Sequence, residues 1–164
     1  MVIKMRKILI SSFMVISLIG CASTPSNSQE DSQETIRYAS SPCFGACPIY
    51  SVEISPTGAV HFEGKQYTKV VGIRDLKVDP TVYKKLQQQL KMYRPATGTS
   101  LKTTQCEQTM TDQQSAYFSW KRLDGTETNL SHYMGCISPA NNKLNQLIHD
   151  LPKLMMIEDL VRRS

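Results

Sequence analysis

Ile49-Tyr50-Ser51-Val52-Glu53-Ile54-Ser55 runs into Pro56-Thr57-Gly58 and returns through Ala59-Val60-His61-Phe62-Glu63-Gly64, and the reading of this stretch decides the fold. Successive residues of a strand point to opposite faces. Tyr50, Val52 and Ile54 therefore share one face, and Ser51, Glu53 and Ser55 share the other. That is the pattern of a half-buried strand. Pro56-Thr57-Gly58 supplies turn chemistry, so the stretch reads as a β-hairpin.

Working outward, Ile36 to Ala39 reads as a short edge strand and Tyr67 to Gly72 as a third strand after the hairpin. Asp79-Pro80 then opens a helix, with Asp79 as N-cap and Pro80 in the first helical position. Val82, Leu86, Leu90 and Tyr93 form its apolar stripe, and Pro95 stops it. Ala96 to Asp112 is polar and reads as a long loop. Ser115 to Trp120 is a strand, Asp124-Gly125 a hairpin turn, and Glu127 to Tyr133 the return. Ser138-Pro139 repeats the cap-plus-proline start, with Leu144, Leu147, Ile148 and Leu151 on the apolar face. Pro152 breaks or kinks that helix, and Leu154, Ile157, Leu160 and Val161 make a second amphipathic piece. The expected architecture is α+β: an antiparallel sheet of about five strands, helices packed on one face, and disulfide staples.

The N-terminus is built differently. Lys4, Arg6 and Lys7 precede an uncharged run from Ile8 to Ile19, followed by Leu18-Ile19-Gly20-Cys21. A basic start, a short apolar run and a small residue before Cys form the bacterial lipobox pattern of an export signal. The apolar run is shorter than the ~20 residues a membrane-spanning helix needs. Residues 1–20 are therefore expected to be a lipoprotein signal peptide, and the Cys21 thiol the site of lipid attachment. Ala22 stands where an Asp would favour inner-membrane retention, so the expected location is the outer membrane, facing the periplasm. Ala22 to Thr35 has no large apolar residue and cannot offset its own ordering entropy. It reads as a flexible tether, with residues 36–164 as a single domain.

Export also changes the charge. The chain carries 19 basic and 14 acidic residues, a net charge of +5. Three of the basic residues lie in the signal, which leaves a net charge of +2. The whole-chain basic balance is thus partly an export signal and gives no support for nucleic-acid binding.

Beyond Cys21 the cysteines are Cys43, Cys47, Cys106 and Cys136. Disulfides are the default in an oxidising compartment. Four cysteines allow three pairings, and sequence alone does not choose among them. The favoured reading joins Cys43 to Cys47 around Gly45 and Cys106 to Cys136; a crossed pairing stays open.

The segment Ser41-Pro42-Cys43-Phe44-Gly45-Ala46-Cys47-Pro48-Ile49-Tyr50, followed by a hairpin with Gly58 and Phe62-Glu63-Gly64, resembles a family of bacterial envelope proteins known only as a domain of unknown function (number six-four-three-eight). The resemblance spans roughly residues 36 to 150, and the Pro-Cys-Phe-Gly-x-Cys-Pro-x-Tyr stretch is its specific part. It implies one domain and brings no activity, substrate or catalytic residue. It includes Cys43 and Cys47 in the hallmark segment and leaves Cys106 and Cys136 outside, which favours the pairing above.

Cys43-x-x-x-Cys47-Pro48 also resembles the copper motif of Sco-type chaperones, in which two thiolates and a distant His hold the metal. That resemblance implies copper or thiol-redox chemistry at Cys43 and Cys47, with His132 or His61 as a third ligand. Against it, a strand pattern follows the motif where those chaperones need a helix. His132-x-Met134-x-Cys136 is a second group of soft ligands, and its plainer reading is a strand end. No Gly-x-Ser-x-Gly, His-Glu-x-x-His or phosphate loop occurs. Asp112, His61 and His132 make a triad on paper only. Lys65 to Lys102 holds nine basic and two acidic residues, a candidate surface for anionic envelope polymers or lipid head groups. Lys153 to Arg163 is a candidate docking piece, with packing on its own domain the simpler reading.

The expected function is that of a membrane-anchored, non-enzymatic binding or structural module. No cofactor is expected, and the partner is an envelope protein or an anionic envelope polymer. The alternative is copper binding or thiol redox through Cys43, Cys47 and His132.

Overall fold

The alternating stretch at 49–64 becomes two paired strands in the structure, a computed structural model that describes residues 33–162. The expected signal peptide, the lipidation site Cys21 and the tether as far as Ser32 lie outside the described residues. The strands are β1 (Thr35–Ser40), β2 (Ile49–Ile54), β3 (Ala59–Gln66), β4 (Gly72–Lys77), β5 (Ser100–Lys102), β6 (Gln108–Thr109), β7 (Ser115–Lys121), β8 (Glu127–Tyr133) and β9 (Cys136–Ile137). The helices are α1 (Pro80–Leu90), α2 (Pro139–Leu154) and α3 (Glu158–Val161).

The main sheet has seven strands in the order β4-β3-β2-β1-β7-β8-β5. All neighbours are antiparallel except β5, which runs parallel to β8. A separate two-stranded piece joins β6 to β9. One face of the main sheet carries rows of apolar residues in register. Phe62, Val52, Tyr38, Phe118 and Leu130 lie across five adjacent strands, and Val60, Ile54, Ile36 and Trp120 form the next row. These rows form one core cluster with Tyr83, Leu86 and Leu90 of α1, Leu144, Ile148 and Leu151 of α2, and Val161 of α3. Helical spacing and strand alternation thus bury one stripe and one face against each other.

Caps explain where the helices start. Asp79 Oδ1 accepts from Thr81 N at 2.8 Å, and Pro80 follows it in the first turn. Ser138 Oγ accepts from Asn141 N, and Pro139 follows in the same way. Gly58 has φ +82°, and a Cβ there would sit 2.2 Å from Val78 O, so this hairpin turn requires glycine.

Several expectations need correction. The main sheet has seven strands, not about five; one of them, β5, comes from the 96–112 segment read as a loop. Ile36 to Ala39 is not an edge: β1 is the central strand, flanked by β2 and β7. The third strand is Gly72–Lys77, not Tyr67–Gly72. Positive φ at Tyr67 (57°) and Gly72 (95°) breaks the extended backbone there. The domain begins before Ile36: Glu34 is buried and Thr35 starts β1, so the last residues assigned to the tether belong to the fold. Pro152 does not break α2 at once, and the helix continues to Leu154 with Pro152 buried inside it. The 153–161 piece packs on its own domain, with Met155, Ile157 and Val161 buried. Lys69 N and Val70 N donate to Val161 O and Leu160 O across it.

Candidate functional site

The hallmark segment forms a five-residue loop at the end of β1, closed by a Cys43–Cys47 disulfide. Its base is clamped by side chains. Ser40 Oγ donates to Pro48 O at 2.9 Å and accepts from Tyr50 N. Gln114 Nε2 donates to both Ser41 O and Pro48 O. Phe44 N donates to Asp112 O, whose residue takes positive φ. The loop is therefore fixed to β7, and its Phe44 side chain stands 89% exposed at the tip. Chemically this is a stapled, rigid projection.

Cys106 and Cys136 form the second disulfide. It joins the segment before β6 to β9, and Cys136 is buried. Asn141 Nδ2 bonds Gln105 O and lies 3.2 Å from Cys136 Sγ, which ties the start of α2 to the same corner.

His132 is buried on the core face of β8. Its Nδ1 is 2.7 Å from Thr103 Oγ1 and its Nε2 is 2.8 Å from Asn145 Oδ1. Asn145 Nδ2 donates to Met134 O, which fixes Oδ1 as the acceptor facing the ring. Nε2 therefore carries the proton and Nδ1 accepts from the threonine hydroxyl. Both ring nitrogens are engaged, so this His links β8, the 103 segment and α2. Burial pushes its pKa below the ordinary histidine value, against a smaller upward effect of the Asn145 bond. A depressed folded-state pKa means that the unfolded chain binds the proton first as pH falls. Stability is then complete above about pH 6.5 and declines below it, by up to about 1.4 kcal/mol per pH unit. A urea midpoint measured from about pH 7 down to about pH 5 should fall in the wild type and fall less steeply in His132→Gln. Equal slopes would show that another group sets the decline.

The three residues of the copper alternative do not assemble. Cys43 and Cys47 are bonded to each other, and His132 has no free nitrogen. Among the described residues, no group of three or more His, Cys, Asp or Glu is placed to hold a metal ion. The paper triad is likewise split. His61 lies on the open face of the sheet, bonded to Asp75 at 2.6 Å; His132 is buried on the other face, and Asp112 is in a loop. Met134 packs on the core and Cys136 is in its disulfide, so the 132–136 group is a strand end. His149 is exposed on α2.

The Lys65–Lys102 stretch is divided among surfaces. Lys84, Lys85 and Lys91 are exposed on or just after α1. Lys77 donates to Thr57 O, and Arg94 is drawn into the domain by Glu34. The open face of the sheet is a polar row in register: Asp75, His61, Glu53, Arg37, Ser119 and Asn129. Arg37 and Glu53 pair across it at 3.3 Å.

Sequence reasoning missed the partners of His132 and the Glu34–Arg94 pair. Thr103 and Asn145 are separated from the His by 29 and 13 residues, and Arg94 from Glu34 by 60. No local spacing signals such contacts.

A family profile described as "Domain of unknown function (DUF6438)" matches residues 34–153, more than half of the chain. Its first residue is the buried Glu34, and its span takes in the hallmark loop, both disulfides and nearly all of α2. No curated protein matches the chain.

Proposed function

We propose, since the chain belongs to the DUF6438 family of domains of unknown function, that it is an envelope lipoprotein carrying a non-enzymatic binding module. In this reading residues 1–20 direct export, Cys21 carries the acyl chains, and residues 21–32 tether the domain to the outer membrane on its periplasmic side. The observation that carries the reading is the cysteine arrangement. Four of the five cysteines pair with one another in two disulfides, as suits an oxidising compartment. The fifth stands alone in Leu18-Ile19-Gly20-Cys21. A single acyl chain holds a protein only marginally, so stable anchoring at Cys21 needs more than one chain.

The binding part rests on the sheet. Its open face presents mostly polar and charged side chains in register, with Tyr117 among them, and the one buried imidazole among the described residues, His132, is held by two structural hydrogen bonds. Such a face suits contact with an envelope protein or an anionic polymer better than bond-breaking chemistry.

Metabolic labelling with radioactive palmitate tests the anchor. Label is expected in the membrane-bound protein and none in Cys21→Ser. An unlabelled, freely soluble wild-type protein would sink the lipoprotein reading.

A further inference from the structure

We propose that the end of the sheet bearing the Cys43–Cys47 loop docks on an anionic lipid surface. This goes beyond the lipoprotein reading: it takes the membrane from that reading, but the docking itself needs no acyl chain.

Three connections meet at this end. They are residues 41–48 between β1 and β2, residues 67–71 between β3 and β4, and residues 110–114 before β7. The strand order sets them side by side, and Ser41 N bonds Ser115 O while Phe44 N bonds Asp112 O. Each connection exposes a large apolar side chain: Phe44 at 89%, Val71 at 62% and Met110 at 53%. Tyr67 and Ile73 stand beside Val71. Five of the ten exposed large hydrophobics of the described residues therefore collect at one end of the sheet. Single exposed apolar residues need no explanation, but a cluster of them does.

Charge selects the partner. Lys65, Lys69 and Arg74 flank the apolar tips, and Lys69 and Arg74 form no ion pair among the described residues. Of the nearby carboxylates, Glu63 is met by Lys65 at 3.5 Å, Asp75 by His61 at 2.6 Å and Glu158 by Arg162 at 3.0 Å; Asp112 accepts from Thr111, and Asp159 lies exposed on α3. Separate apolar tips with cations on the β3–β4 side match a lipid interface, where rings sit at headgroup level and cations meet anionic headgroups. A protein partner would instead call for a continuous, closely packed patch.

The tips are also fixed in place. The disulfide and the Gln114 clamp hold one loop, and the C-terminal segment holds the 67–71 loop through Val161 O and Leu160 O. Rigid tips lose little freedom on docking. The tether permits the pose. β1 places Glu34 about 20 Å from this end, and the 13 residue steps from Cys21 to Glu34 reach about 45 Å when extended.

The test uses the unacylated chain from Ala22, which keeps every contact described between residues 33 and 162. It is floated with vesicles of phosphatidylcholine alone and with a minority of phosphatidylglycerol. Flotation with the anionic vesicles is expected, reduced by salt and weakened about tenfold or more in Phe44→Ser/Val71→Ser. Both side chains are exposed, so these changes leave the core intact. No flotation, equal flotation with both vesicle types, or undiminished flotation of the variant overturns the proposal. So does a photo-crosslinker at position 44 that, in cells, captures protein instead of lipid. Palmitate labelling reads Cys21 separately, so failure of docking and failure of the anchor are told apart.

Discussion

Arg94→Met is expected to cost the domain about 3–4 kcal/mol, seen as a large drop in the urea midpoint at unchanged slope. The reason lies in what the change leaves behind. Glu34 is 2% exposed, and its carboxylate is held by Arg94 Nη2 at 2.6 Å and Nε at 3.2 Å. The same guanidinium reaches Pro95 O and Thr97 Oγ1 and lies 5.9 Å from the centre of the Trp120 ring. Removing it strands a buried carboxylate, and that desolvation is the larger part of the cost. Tyr83 Oη still donates to Glu34 O, so the chain stays in place while its charge goes unanswered. A double variant, Glu34→Leu/Arg94→Met, should therefore lose less than Arg94→Met alone, because no buried charge remains. If the single change costs under about 1 kcal/mol, the pair behaves as an exposed ion pair and the account is wrong.

That contact marks the boundary between what the sequence discloses and what it does not. The hairpins were legible because alternation and turn residues agree: Tyr50, Val52 and Ile54 face inward, and Gly58 and Gly125 take positive φ where the chain reverses. The starts of α1 and α2 were legible because Asp79-Pro80 and Ser138-Pro139 are local signals. β4 starts later than the sequence pattern suggests because Val70-Val71 mimics a strand, while Tyr67 turns the chain with an angle that its side chain does not advertise. β5 was illegible: Ser100, Leu101 and Lys102 are all exposed, so burial imposes no alternation on them, and their partner β8 lies about 30 residues on. The hallmark loop could be found from its motif. Its clamp could not, because Gln114 reaches it across 73 residues. Short-range rules record only what neighbours in sequence require of each other, and the site's supports are long-range.

The second large effect concerns the two disulfides, which should prove unequal. Replacing Cys106 and Cys136 together by Ser is expected to cost about 3–4 kcal/mol, and replacing Cys43 and Cys47 together about 2 kcal/mol. The first bridge closes a sequence separation of 30 and the second a separation of 4, so the first removes far more freedom from the unfolded chain. Local structure widens the gap. From Thr104 to Gln113 every residue is exposed, so burial holds this segment weakly. Besides the bridge it has a two-residue ladder between β6 and β9, the bonds Glu107 N to Ile137 O and Met110 N to Gly135 O, and single hydrogen bonds from Asn141 Nδ2 to Gln105 O, Tyr133 Oη to Met110 O, Phe44 N to Asp112 O and Gln113 N to Tyr133 Oη. Freed of the bridge, it also loosens Thr103, whose hydroxyl serves the buried His132. The Cys43–Cys47 loop keeps Ser40 and Gln114 at its base without its sulfur bridge. Urea midpoints of the two double-Ser proteins, with amide exchange across 103–110, read the difference. Faster exchange at Glu107 and Met110 should accompany loss of the long bridge only. Equal midpoints, or faster exchange there on loss of the short one, would mean that loop length does not govern these staples.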